Sequence, residues 1–468
     1  MFIALSLFLL YLFGLGCAAS AFRDRSGDVL EQAALAVAAG MLINLSLMLR
    51  GQPFLHVFVV GGGLAAWGVW KAFHQWRSRP ATIGRRRAAI LGSGCCIVYI
   101  LVVYYFDILS EPLAHWDARS IWFFHARMIW VEGALRNAGW NHPSIAFSSP
   151  DYPKLVPAMA AQLAYLKGYW NEFLPKGSLL VLLTPAVIWA FSFRKRAASF
   201  VLLFLMLFLG HYEWLSNGYM DAYLVVYSAL ALLFVGRYLV DRRDFDLHSA
   251  FFAVGIATSL KNEGLLVALC LVAALGITTM GFTNYGLKSL APRLLREPRH
   301  LAVLLIAAAP TVMWNAYKWT WGLQNELTRQ PSDALSRVAT RVFDGPSVGY
   351  VLHYMTVEAN GLWVPAGLVA VTLFFSTRLR VRMHPGALVA AWTALLYFCG
   401  IGVVYLSTPS TLDFHLTTSA PRTMASTRIA LLVSMYFLLS TFEAMDRELA
   451  HPRLEADAAS ASRSISVS

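Results

Sequence analysis

An all-α, polytopic bundle of transmembrane helices with about 12–14 spans is the fold this sequence predicts. Three observations predict it. The 468 residues are 58% hydrophobic and only 14% charged, where a soluble domain carries about a quarter charged residues. Mean hydropathy is +0.56, and apolar runs of about 17 to 25 residues, the length a bilayer core requires, recur throughout. The formal charge of +12 is dispersed over short connections between those runs and gathers on no single face. It therefore describes no nucleic-acid-binding surface.

In chain order the runs lie near 1–21, 29–49, 53–72, 88–109, 177–193, 199–212, 222–240, 249–260, 264–282, 301–318, 360–377, 386–406 and 428–444. Those at 199–212 and 249–260 are short, and a further run at 155–168 is too short to cross. The first run lacks the basic start of a signal peptide and reads as a retained helix. Lys and Arg cluster at 74–87, 194–196, 241–244, 287–300 and 376–383, so these loops read as cytoplasmic. That leaves 110–154, 213–221, 261–263, 319–359 and 407–427 outside. Between 110–154 and 194–196 the chain must cross an odd number of times, which two runs do not give.

Within the first outer loop, Ile121, Phe124, Met128, Val131 and Leu135 recur at spacings of three and four. This predicts an amphipathic helix lying in the membrane plane, with Trp116, Trp122, Trp130 and Trp140 at the water–lipid boundary. Stretches 319–346 and 347–358 offer similar surface helices. The five cysteines (Cys17, Cys95, Cys96, Cys270, Cys399) all lie in apolar runs and read as small packing residues rather than a disulfide or metal framework. The Ala/Ser-rich tail at 445–468 reads as a disordered cytoplasmic end.

Chemistry-bearing residues fall in the outer connections. Asp117 stands between Trp116 and Ala118; as a bare residue it serves equally as a helix N-cap. The proline-rich stretch 141–159 carries His142, Asp151 and Lys154, and reads either as a rigid capped turn or as a second carboxylate near the first. Asp221 heads a span, where a carboxylate is costly unless wet, paired or functional. Lys261 and Glu263 occupy a short turn between two runs, as a solvated ion pair or as site residues. His415, Thr418, Ser419 and Arg422 stand before the last run; a fixed cation, an imidazole and hydroxyls are parts from which a phosphate site is made.

The stretches "WDARSIWFFHARMI", "DYPKLVP", "LKNEG" and "FHLTTSAPR", in that order, resemble the GT-C superfamily, over residues 88–444. These polytopic glycosyltransferases use polyprenyl-phosphate-linked sugars, and the protein O-mannosyltransferases and lipid A aminoarabinose transferases belong to them. The resemblance implies a catalytic membrane domain over 88–444, an N-terminal extension of about three spans plus a basic loop over 1–87, and a place in a bacterial inner (plasma) membrane with the site on the extracytoplasmic face. It implies Asp117 as the catalytic carboxylate, with Asp151 where a second family motif precedes the next span. That motif is often His-Pro-Pro-like, and here "SSPDYP" departs from it. Asp221 matches an acidic residue heading a later span, Lys261 a lysine in the following turn, and His415 and Arg422 the late outer loop that meets the donor phosphate. Lys154, Glu263 and Ser419 are further candidates.

The implied reaction is a displacement at the anomeric carbon, with inversion. Asp117 takes the acceptor hydroxyl's proton, while Arg422, His415 and Lys261 meet the leaving phosphate. The partners are a polyprenyl-phosphate sugar, a glycan, lipid or protein acceptor, and the bilayer. A divalent cation (Mg or Mn) held by Asp117 and Asp151 suits the scheme, though the sequence does not demand one. Two rivals stand beside it. A ligase or polymerase using a diphosphate-linked oligosaccharide would draw on Arg329, Arg337 and Arg341. A lipid-linked sugar transporter would place its charges at mid-membrane.

Overall fold

The computed structural model describes residues 2–19, 28–77, 85–136, 138–194, 200–201, 204, 207–208, 212–281, 296–323, 331–358, 366–371 and 383–465, with side chains described in the last helix only to Thr441. Every regular element among them is helical. The principal helices are α1 (Phe2–Ala18), α2 (Val29–Leu49), α3 (Phe54–Arg77), α4 (Arg85–Ser110), α5 (Phe123–Glu132), α6 (Leu155–Lys167), α7 (Gly177–Ala190), α8 (Met220–Asp241), α9 (Asp244–Leu260), α10 (Asn262–Gly281), α11 (Pro298–Thr320), α12 (Pro331–Phe343), α13 (Pro346–His353), α14 (Pro385–Ser407) and α15 (Leu412–Ile465). Nine helical segments among the described residues are long and apolar enough to cross a membrane, so the chain is a multi-pass helical membrane protein. The predicted run at 199–212 lies largely outside the described residues. So does 360–377, of which 366–371 is helical.

The short run at 155–168 forms α6, whose 13 residues reach about 20 Å at 1.5 Å per residue. That falls short of the roughly 30 Å hydrocarbon core, so α6 does not cross, and the odd-crossing requirement is met by the following span alone. Its first ten residues are buried. Gln162 and Asn44 of α2 exchange hydrogen bonds of 2.7 and 3.0 Å, and Tyr11 of α1 donates to the same Asn44 oxygen. Polar pairs of this kind join helices where apolar contact gives no preference over lipid. α2 also packs on α7, α9 and α11, so the N-terminal spans share a core with the rest.

α7 and α8 form the buried centre, while α3 and α4 present most of their surface outward. At one end of the bundle the basic residues are paired: Arg237 with Asp246 at 2.5 Å, Arg194 with Asp28, Arg243 with Glu31, and Arg299 with Asp244 at 2.6 Å. α8 starts at the other end and finishes here, α9 returns, and α10 begins where α9 stopped. That other end gathers residues 111–154, 217–221, 261–263 and 408–423 and is called the site end below.

Three expectations are corrected. The helix over 118–132 buries Ile121, Trp122, His125, Ala126 and Ile129, a face rotated from the expected stripe, and Val131 is 65% exposed. Trp122 and Trp140 are core residues, while Trp116 alone of the four is largely exposed. The last helix begins at Leu412 rather than 428, leaving 408–411 as the turn. Its backbone is helical to Ile465.

Candidate active site

Seven of the nine sequence-selected residues converge. Asp117, Asp221, Lys261, Glu263, His415, Ser419 and Arg422 line one cavity of about 110 Å³ at the site end, together with Tyr152, Tyr405 and Thr423. They arrive on four separate segments of chain.

Asp117 precedes a single π-helical turn, Ala118–Trp122, closed by the Phe123 N–H to the Ala118 carbonyl. Its side chain makes no cap bond. Its carboxylate instead accepts a short hydrogen bond from Arg422, 305 residues away. The capping alternative is therefore displaced by a long-range ion pair. Asp221 comes close because the preceding turn packs against the π turn: Gly218 has φ +91°, and a Cβ there would lie 2.8 Å from the Ala118 Cβ. Only glycine suits both the left-handed backbone and the contact.

Lys261 and Glu263 are set by the tight junction of α9 and α10. A Cβ on Gly264 would lie 2.0 Å from the Ala257 carbonyl oxygen, so the two helices meet at glycine distance. Lys261 Nζ donates to Asp221 at 2.8 Å and lies 3.3 Å from Glu263; its side chain is 7% exposed, so this is no solvated pair. Burial opposes its charge, but the Asp221 and Glu263 carboxylates outweigh that and hold the ammonium well above the ordinary lysine range. The Glu263 carboxylate, with burial, likewise holds the Tyr152 phenol up.

Arg422 lies one turn beyond Thr418 on α15 and donates to its carbonyl at 3.1 Å. Its guanidinium stands 5.1 Å from the Tyr219 ring and 3.6 Å from Asp221. The ions thus form a chain, Asp117–Arg422–Asp221–Lys261–Glu263, in which three carboxylates face two fixed cations. Tyr405 closes the far side through Thr423 at 2.7 Å and Ser419 at 3.0 Å, and its ring meets His415 edge-on at 5.0 Å.

Asp151 and Lys154 are not in this cavity. The Asp151 carboxylate accepts from Asn262 at 2.6 Å, and its carbonyl accepts from Trp314. Asp117 and Asp151 therefore have different hydrogen-bond partners, and Asp151 is not among the residues lining the cavity that holds Asp117. The three-residue group with metal-ligand spacing found among the described residues, Asp244, Glu297 and His300, lies at the opposite end. Its carboxylates already hold Arg299.

Lys154 is 1% exposed. Its ammonium sits between the Trp140 and Trp314 rings at 4.3 and 4.8 Å and donates to the Pro150 carbonyl and to His125 Nδ1. His125 Nδ1 is then an acceptor, so Nε2 carries the proton toward Ser148. Burial pushes Lys154 well down and holds His125 well below its ordinary value, with Lys154 adding to the latter. Burial raises Asp151.

Of the arginines weighed for a second phosphate clamp, Arg337 donates to the Ser407 carbonyl and Arg341 to those of Leu406 and Thr408. They cap the end of α14 and are not among the residues lining the cavity. Arg329 lies outside the described residues. Tyr152, Tyr405, Thr423 and Tyr219 escaped sequence reading, because a tyrosine or threonine in an apolar chain carries no signal until its neighbours are known. Neither protein-family models, nor curated proteins, nor solved structures give a match to this chain. The site is read from its chemistry.

Proposed function

We propose that this chain is a GT-C-type membrane glycosyltransferase, moving a sugar from a polyprenyl-phosphate donor to an acceptor hydroxyl at the extracytoplasmic surface of a plasma membrane. The observation that carries the reading is the contact between Asp117 and Arg422. The residue selected as base and the residue selected as phosphate partner, far apart in sequence, hold each other at the cavity where the other candidates gather.

The contact also supplies a mechanism. Arg422 pairs with the Asp117 carboxylate. A donor phosphate reaching the cavity competes for the guanidinium, and charge-assisted bonds of this type are strong and geometrically specific. Once Arg422 turns to the phosphate, Asp117 is released to accept the acceptor's proton. The base is thus exposed only when donor is present, which disfavours wasteful hydrolysis. Lys261, fixed as a cation by Asp221 and Glu263, adds positive field for the leaving phosphate, and Tyr219 keeps Arg422 within reach of both partners. The acceptor oxygen attacks the anomeric carbon, the bond to the phosphate oxygen breaks, and the configuration inverts. At about 110 Å³ the cavity is below the roughly 300–1,000 Å³ of a small-molecule site. It holds the reacting ends of the substrates and widens when the Asp117–Arg422 bridge parts. A cation, if one takes part, would draw on Asp117 rather than on an Asp117–Asp151 pair.

The diphosphate-linked ligase has less support, since Arg337 and Arg341 are spent on helix capping. The test is transfer activity in membranes carrying Asp117→Asn and Arg422→Ala. Both variants insert as the wild type does and lose transfer; full activity in either sinks the assignment.

A further inference from the structure

A second cavity, of about 190 Å³, lies on the other side of the Lys261–Glu263 turn. Lys261 and Glu263 line the first cavity; Asn262, between them, lines the second with Lys154, Trp314 and Lys318. The side chains can divide this way because Lys261 interrupts the helix. Its backbone is extended, at φ −143° and ψ 158°, between the end of α9 at Leu260 and the start of α10 at Asn262. A backbone hydrogen bond from the Gly264 N–H to the Lys261 carbonyl spans the turn at 3.0 Å. Residues at such a break lack the constraint of the continuous helical ladder, so their neighbours have to fix where the side chains point.

Asn262 has the contacts to do so. Its amide nitrogen donates to the Asp151 carboxylate at 2.6 Å, and its amide oxygen accepts from Lys318 Nζ at 3.2 Å. A carboxylate accepts and an ammonium donates, so the amide fits in one orientation only. The two partners stand on separate elements. Asp151 lies on the turn that leads into α6, and Lys318 on the last turn of α11. Asp151 is itself held: it is 3% exposed, and its carbonyl accepts from Trp314 Nε1 of α11 at 3.0 Å. Asn262 is tied to these anchors in one cavity, while Lys261 on its N-terminal side meets Asp221 and Glu263 in the other. Linked side-chain hydrogen bonds of this kind are worth more together than separately.

We infer that Asn262 is a positioning residue: held by Asp151 and Lys318, it sets the Lys261–Glu263 turn so that the Lys261 ammonium meets Asp221 at the first cavity. Asp151 acts on that cavity through Asn262 and touches no substrate. The effect on rate rests on the transfer reading; the effect on where Lys261 lies does not. In that reading Lys261 meets charge that develops on the leaving phosphate. Displacing it therefore lowers kcat and kcat/KM together and leaves KM nearly unchanged.

The test compares wild type with Asn262→Leu, which removes both bonds at similar volume, and with the exchange Asn262→Asp/Asp151→Asn. The exchange keeps both bonds: the new amide donates to the new carboxylate, which still accepts from Lys318. Two quantities are measured on the purified full chain in nanodiscs. One is the rate at which acetic anhydride labels Lys261, followed by mass spectrometry; the other is kcat and KM for transfer from polyprenyl-phosphate sugars. In Asn262→Leu, labelling is expected to rise about tenfold or more as the charged hydrogen bond to Asp221 is lost. Its kcat is expected to fall by up to about 10²-fold, the cost of a 1 Å misplacement, with KM little changed. The exchange variant stays close to wild type in both, and it keeps the test open if Asn262→Leu fails to fold. Unchanged labelling in Asn262→Leu, or labelling in the exchange variant as fast as in a folded Asn262→Leu, overturns the inference, and so does labelling of the exchange variant well above wild type. No transfer by wild type with any donor, together with faster labelling in Asn262→Leu alone, would sink the transfer reading and uphold the positioning.

Discussion

At the scale of single residues, environment decides role. Asp117 and Asp151 are both aspartates in one connection, yet one pairs with Arg422 at the cavity and the other is tied to Asn262. Asp117→Asn keeps the shape and removes the base, so transfer is expected to fall by about 10²–10⁴-fold while the protein remains folded; initial rates in membranes check it. His125 supplies a pH dependence. Its folded value lies well below the ordinary one, so on acidification through about 6.5 the unfolded chain gains a proton that the folded protein refuses. Stability is therefore intact above that pH and lost as pH falls below it. Thermal unfolding in detergent should drop between about pH 7 and pH 5 by more in the wild type than in His125→Gln, which has no such proton to gain. Asp117, Asp221, Lys261, Glu263 and Arg422 were legible in the sequence because charge is scarce in this chain and marks itself. Tyr152 and Tyr405 were not, because their polarity is hidden among apolar neighbours.

At the scale of elements, the site depends on how closely two helices meet. The α9–α10 junction holds Lys261 and Glu263 toward one cavity and Asn262 toward the other, and it closes at Gly264 against the Ala257 carbonyl. Gly264→Ala should cost about 1–3 kcal/mol as the helices separate, visible as a lower unfolding midpoint, with transfer activity falling in parallel. Most long helices were legible from apolar run length, as at α2, α8 and α14. The start of α15 was not. "LDFHLTTSAPRT" carries too few apolar residues to read as a span, yet tertiary contacts, including Tyr405 with Ser419 and Thr423, hold it helical. His415, Ser419 and Arg422 thus stand on a rigid helix, one turn apart, rather than on a loop. The rotated face of α5 has a similar cause: His125, polar by composition, is buried because Ser148 and Lys154 satisfy it.

At the scale of the whole molecule, the two ends of the bundle are chemically distinct. One pairs its arginines with carboxylates at the turns between helices, and the other carries two adjoining cavities, one on each side of the Lys261–Glu263 turn. The positive-inside rule predicts that the first end faces the cytoplasm. Trp116→Cys in a cysteine-free background should then react with a membrane-impermeant reagent in intact cells, and Asp241→Cys only after permeabilisation; the reverse pattern would invert the orientation. The succession of membrane-length helices was legible in outline because hydropathy sets it locally. The adjacency of the two cavities was not, because it arises from packing among α2, α6, α9 and α11 that no local pattern encodes. The measurement that bears most directly on the account supplies radiolabelled polyprenyl-phosphate sugars of several kinds to membranes containing this chain. Loss of label from the lipid fraction is followed for wild type and Asp117→Asn. The account predicts loss with at least one donor in wild type and none in the variant; equal loss in both, or none with any monophosphate donor, would contradict it.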